Sequence, residues 1–165
     1  MAMIGNIAVF PGSFDPVTYG HIDVVSRAMS MFDYVFVMVG RNTNKSYLFN
    51  DAERGGMLLS CLAYASNVRI SVFDGLVVDF CRSVGAKTIV RGVRNSNDVE
   101  FEMRASYVNN DVASIDTVFF PTRSTLAYVS SSMVKELAWH GVDVSGYVPP
   151  VVNEAIKLAY KKKHD

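Results

Sequence analysis

His21 closes the stretch Phe10-Pro11-Gly12-Ser13-Phe14-Asp15-Pro16-Val17-Thr18-Tyr19-Gly20-His21, which joins a hydroxyl, stiffening prolines, glycines and an imidazole. An apolar run (Ile7 to Phe10) leads in, and an amphipathic segment from Ile22 leads out, so the spacing predicts strand, tight turn and helix. A helix start presents unpaired N–H groups and a positive dipole end, which suits a phosphate. The dipole is also expected to lower the His21 pKa. Gly12 and Gly20 are expected to allow close backbone approach or positive φ. Arg91-Gly92-Val93-Arg94 follows an apolar run and could clamp a second phosphate bidentately. Ser130-Ser131-Ser132 opens another helix and could form a nest of hydroxyls and N–H groups. Lys45, in a polar loop, could add a cation, and Glu102 could meet a ribose hydroxyl. These residue types point to phosphoryl chemistry, where positioning and charge stabilisation carry most of the rate.

Each group also has a plainer reading. His21 could only cap its helix, and the arginines could be balanced at the surface by Asp98, Glu100 or Glu102. Glu102 fits an arginine salt bridge slightly better than a ribose contact. The serines could be N-caps alone. Lys45 could be solvated, and Lys135 and Glu136 read as a solvated helix face. Met29, Met31, Met38 and Met57 read as core.

The positioning elements follow from periodicity. Apolar runs at 33–40, 68–73, 87–92 and 115–120 read as four further strands, the run at 33–40 almost continuously apolar as in a parallel strand covered on both faces. Between them lie helices starting at Asn50, near Leu76, at about Asp98 (with Val99, Met103 and Tyr107 at helical spacing) and at Ser130. Pro149-Pro150 opens a last helix ending in lysines. This alternation gives the fold class: α/β, a Rossmann-like doubly wound, mainly parallel five-stranded sheet with helices on both faces. The loops at 11–20, 41–49, 75, 92–97 and 121–130 all follow strands and should share one sheet edge. Neither Gly-x-Gly-x-x-Gly nor Gly-x-x-x-x-Gly-Lys-Ser/Thr occurs, so a nucleotide would be held by other means.

Residues 1–165 are expected to form one domain, with 50% hydrophobic and 19% charged residues. A formal net charge of +0 argues against broad nucleic-acid or membrane-surface binding. Cys61 and Cys81 read as buried free thiols, and no Cys/His metal spacing is present. No secretory signal and no spanning apolar run are evident, so a cytoplasmic location is expected.

Pro-Gly-Ser-Phe-Asp-Pro-x-x-x-Gly-His at 11–21 and Ser-Ser-Ser-x-x-Lys-Glu at 130–136 resemble the two signatures of adenylyltransferases with a Thr/His-x-x-His-type turn. Arg91-Gly92-Val93-Arg94 with Asp98, Glu100, Phe101 and Glu102 narrows the resemblance to the bacterial phosphopantetheine adenylyltransferases, over roughly residues 5 to 160. The resemblance implies transfer of AMP from ATP to 4′-phosphopantetheine, giving dephospho-coenzyme A and pyrophosphate with Mg²⁺. It implies Ser13, Phe14 and His21 at the ATP phosphates, with His21 stabilising the transition state. Gly92, Val93, Arg94 and Glu102, with Leu126, Ala127, Tyr128, Val129, Ser130, Ser131 and Ser132, would contact the nucleotide. Lys45 and Arg91, with Ser13, would hold the acceptor phosphate, and Val77 would line the pantetheine arm. It further implies a hexamer, a dimer of trimers, inhibited by coenzyme A. Ser13 stands where many members have Thr, and keeps the hydroxyl. Around Thr125-Leu126 the acidic and aromatic residues of many members are lacking, which leaves base contacts to the backbone. The alternatives are a relative acting on nicotinamide mononucleotide or glycerol phosphate, a non-catalytic nucleotide-binding module, and a redox protein. Retention of His21 and the serines argues against the non-catalytic module, and Arg91, Arg94 and Glu102 argue against the relatives acting on other acceptors.

Overall fold

The computed structural model describes residues 5–41 and 46–164, and side chains to residue 161. Lys45 lies outside the described residues. The strands are β1 (Ile7–Gly12), β2 (Tyr34–Gly40), β3 (Val68–Phe73), β4 (Thr88–Val93) and β5 (Asp116–Pro121). The helices are α1 (Tyr19–Ala28), α2 (Asp51–Cys61), α3 (Val77–Val84), α4 (Ser96–Ala113), α5 (Ser131–Trp139) and α6 (Pro150–His164). Their bounds fall within about two residues of those expected, because each begins or ends where apolar periodicity changes to turn chemistry.

All pairings are parallel, in the order β3-β2-β1-β4-β5, so the chain reverses direction across the sheet between β1 and β4. Alternate residues of each strand face opposite layers. Ala8, Phe10, Val35, Val37 and Val39 pack under α1, α2, α5 and α6. Ile7, Val9, Phe36, Met38 and Ile89 pack against α3. The doubly wound architecture is therefore as the alternation of strands and helices predicts.

The β1–β4 ladder is short. Only Ala8 pairs with Thr88 and Val9 with Ile89, whereas β1–β2 and β4–β5 are each paired over six residues. Beyond Val9 and Ile89 the two strands part, and their C-terminal ends form the walls of a cleft. Cleft formation at such a switch point is the general behaviour of open α/β sheets.

Two expectations about the core change. Met31 is 60% exposed, since it lies in the turn after α1 and not on the helix's inward face. Helix α4 buries no residue fully: of the predicted spacing, Val99 is half-buried and Met103 and Tyr107 are exposed, as are Phe101, Val108 and Val112. Among the described residues of one chain no layer covers that side of α4.

Candidate functional site

The turn after β1 is shaped by an aromatic ring folding back on its own backbone. Phe14 carries φ 52°, is 1% exposed, and packs edge-on against Phe10 and His21 with ring centroids 5.5 and 5.1 Å away. A Cβ on Gly12 would lie 2.8 Å from that ring, so position 12 must be glycine. Gly12 thus serves close approach, one of the two roles expected of it, while the left-handed conformation falls on Phe14 and not on Gly12 or Gly20.

Helix α1 starts with Thr18 as N-cap and His21 as its third residue. The Thr18 main-chain N–H donates to His21 Nδ1 at 3.0 Å, and Thr18 Oγ lies 3.1 Å from the same nitrogen. The imidazole takes the place that Glu or Gln fills in a capping box. An Nδ1 that accepts a backbone N–H carries no proton, so the neutral ring's proton is on Nε2. Burial lowers the His21 pKa from 6.5 to about 4, and the charges of Arg91 and Arg94 act in the same direction. The direction matches the sequence expectation, while desolvation supplies the largest cause. His21 is therefore a neutral N–H donor at neutral pH, and it is both cap and cleft wall.

Arg91, on β4, crosses the parted strands. Its Nη1 donates to Pro11 O at 2.7 Å, and its Nε donates to Glu102 Oε2 at 2.8 Å in a forked pair. The side chain thereby replaces ladder bonds that β1 and β4 no longer make. Glu102 pairs with arginine, as its spacing favoured. Arg94 pairs with Asp98 at 2.8 Å, and that contact raises the Arg94 pKa and lowers that of Asp98. At Gly92 a Cβ would sit 2.9 Å from Val24 Cγ2, so glycine lets α1 pack into the gap.

Helix α5 opens beside the turn. Ser130 Oγ accepts the Met133 N–H at 3.1 Å, and Ser131 Oγ donates to Pro16 O at 2.8 Å. Two of the three hydroxyls expected in a nest thus serve capping and anchoring.

These parts line two cavities. One, of about 360 Å³, is bounded by Ser13, Phe14, His21, Arg94, Val129, Ser130 and Ser131. The other, of about 240 Å³, is bounded by Val77, Phe101, Ser106, Asn109 and Thr117. Pro11, Arg91 and Glu102 line both. Of the other expected residues, Gly92 lines the larger cavity, whereas Val93, Leu126, Ala127, Tyr128 and Ser132 do not line either one. Among the described residues no three His, Cys, Asp or Glu gather to hold a metal ion.

Sequence reading missed two residues. Arg54, fully buried, donates to Ser13 O at 2.6 Å and Gly40 O at 3.1 Å, pairs with Asp51, and lies 4.2 Å over the Tyr47 ring. A usable signal existed, because Arg54 falls on the apolar stripe of Met57, Leu58 and Cys61. Lys135, expected to be solvated, instead pairs with the buried Asp15 at 2.8 Å.

A parallel sheet with a phosphate-suited turn at its switch point is the architecture of the nucleotidyltransferases, and the family model described as cytidylyltransferase-like matches residues 9–137. In Plasmodium falciparum, nicotinic acid mononucleotide adenylyltransferase complexed with APC shares the fold, with TM-score 0.65 and 15% identity over 95% of this chain and 96% of that one. Phosphopantetheine adenylyltransferase of Staphylococcus haemolyticus is 42% identical over 94% of this chain and 97% of its own length. The enzyme of the same name from a Nocardioides species is 49% identical over 88% and 92%. The chain belongs to the phosphopantetheine adenylyltransferase family. Among the described residues no helix is long and apolar enough to cross a membrane.

Proposed function

We propose that the chain transfers AMP from ATP to 4′-phosphopantetheine, releasing pyrophosphate and forming dephospho-coenzyme A. The observation that carries this reading is the pair of cavities meeting at Arg91. The larger one suits a nucleotide and the smaller one an extended arm with amide groups, for which Ser106 and Asn109 offer polar partners. An acceptor phosphate oxygen forms the new bond to the α-phosphorus, and the bond to the bridging oxygen of pyrophosphate breaks in line. The attacking oxygen is already ionised, so no proton need be removed. His21 accordingly acts as a donor through Nε2 to the charge that builds on the α-phosphoryl oxygens, a contact strongest in the transition state. The Ser13 turn and the first turn of α5 offer N–H groups to the triphosphate, with Arg94 nearby. Arg91 holds the acceptor phosphate at the junction of the cavities, helped by Lys45 according to the family resemblance. Val77 lines the arm.

Mg²⁺ bound with ATP would supply charge neutralisation at the triphosphate. Among the described residues no three His, Cys, Asp or Glu gather, and a Mg²⁺ carried by the triphosphate and water would need no such cluster. The same reading includes a single domain, a cytoplasmic location, hexameric assembly as a dimer of trimers, and inhibition by coenzyme A filling both cavities. The exposed apolar side of α4 supports assembly, since patches of that kind mark contact surfaces.

The test is pyrophosphate release from Mg²⁺-ATP with phosphopantetheine, nicotinamide mononucleotide or glycerol phosphate as acceptor. Turnover with phosphopantetheine alone is expected. Turnover with nicotinamide mononucleotide and none with phosphopantetheine would overturn the proposal.

A further inference from the structure

Asp15 lies in the turn between β1 and α1 and is 3% exposed. Its carboxylate accepts from three separate groups. The main-chain N–H groups of Leu48 and Phe49 each donate at 2.9 Å, and Lys135 Nζ donates at 2.8 Å. Leu48 and Phe49 lie near the end of the segment between β2 and α2, just before the N-cap Asn50. Lys135 lies on α5, just past the serines that open it. One buried carboxylate therefore joins the turn, the segment after β2 and α5. A second suture lies beside it, where Ser131 Oγ donates to Pro16 O. Neither Asp15 nor Lys135 lines either cavity.

A buried charge without a partner is unfavourable, so the carboxylate holds its donors tightly and fixes the separation of the segments carrying them. The turn bears Ser13 and leads to His21, and α5 bears Ser130 and Ser131. We infer that the Asp15–Lys135 ion pair is a positioning device, with Lys135 a positioning residue, that sets the register of α5 and the post-β2 segment against the phosphate-binding turn. This rests on the adenylyl-transfer reading above. Two reactants must meet in line between these walls, and an error of about 1 Å in such placement costs about 10²-fold in rate. Both walls hold the triphosphate, but in-line transfer demands their placement more strictly than ground-state binding does, so loss of the pair falls more heavily on turnover than on nucleotide affinity.

The test compares Lys135→Met, which keeps the stem without the charge, with Lys135→Arg, which keeps the charge. Each is assayed by pyrophosphate release for kcat and both KM values, and by calorimetry for ATP binding without acceptor. Folded protein is counted from a thermal melt. Lys135→Met is expected to bind ATP within about threefold of the parent while kcat falls about 10²-fold, and Lys135→Arg is expected to recover most of that loss. If Lys135→Met fails to fold, the double variant Asp15→Asn/Lys135→Met, which buries no unpaired charge, is measured in its place with the same expectation. A kcat within about threefold of the parent would refute the inference. So would a loss carried wholly by ATP affinity, or one that Lys135→Arg does not recover. A parent protein that does not turn over phosphopantetheine defeats the functional reading instead, so the two failures are distinct.

Discussion

Replacing Thr18 by Val probes how the imidazole is held without removing it. Thr18 is 2% exposed, and its Oγ lies 3.1 Å from His21 Nδ1. Valine keeps the branched shape and loses the hydroxyl. The main-chain N–H at 3.0 Å remains, so Nδ1 keeps one donor and Nε2 keeps its proton. The loss is one hydrogen bond of about 0.5–1.5 kcal/mol, which corresponds to about 2- to 12-fold in turnover if the ring drifts from its productive pose. Removing the ring deletes a transition-state donor, and His21→Ala should lower turnover by about 10²–10³-fold. The two effects share one group and so cannot add. In the His21→Ala background, Thr18→Val should change turnover by less than about twofold. The assay is single-turnover pyrophosphate release with Mg²⁺-ATP and phosphopantetheine saturating. Additive losses in the double variant, or full turnover in Thr18→Val, would refute the idea that Thr18 acts through His21.

Stability should depend on pH through His21. Its pKa is about 4 in the fold against 6.5 when solvated, so between those values the unfolded chain binds more protons. Stability should rise as pH climbs from 4 to 6.5 and gain nothing further from this residue above that. The swing is on the order of 3 kcal/mol. Urea midpoints across that range should move less with pH in His21→Ala than in the parent, and parallel curves would be evidence against a desolvated neutral ring. Gly92→Ala places a Cβ 2.9 Å from Val24 Cγ2 and should destabilise by about 1–3 kcal/mol, because Val24 is buried and α1 must shift. Since α1 carries His21, turnover should fall with it; a melt and a rate both equal to the parent's would show that the helix does not seat there.

The strands were readable because fully covered parallel strands are written as continuous apolar runs, as in Val35 to Val39. The turn at 11–21 and the arginines of β4 were readable because their residue types are unusual at strand ends. What escaped was whatever depends on partners far apart in the chain. Lys135 is polar, sits at a polar-looking helix position, and meets a carboxylate 120 residues earlier. Arg54 reaches a carbonyl 41 residues earlier, though its place on an apolar stripe gave a hint. The positive φ at Phe14 arises from ring packing that no local rule describes. Helix α4 was predicted by the right periodicity, but periodicity says that a face is apolar and not what covers it.

The short β1–β4 ladder has a mechanical meaning. The sheet amounts to two plates, β3-β2-β1 and β4-β5, each internally bonded over six-residue ladders. Strand to strand they share two residue pairs and one guanidinium-to-carbonyl bond from Arg91 to Pro11, and α1 spans the seam, with Arg27 Nη1 donating to Pro121 O at 2.7 Å. Rotation of one plate against the other about that seam leaves every long ladder intact, so it is the most compliant way to deform the sheet. The same rotation changes the width of the larger cavity and the reach of Arg91 at once. A substrate that draws its two walls inward thus works across that short seam, while the long ladders keep each wall's own groups in place.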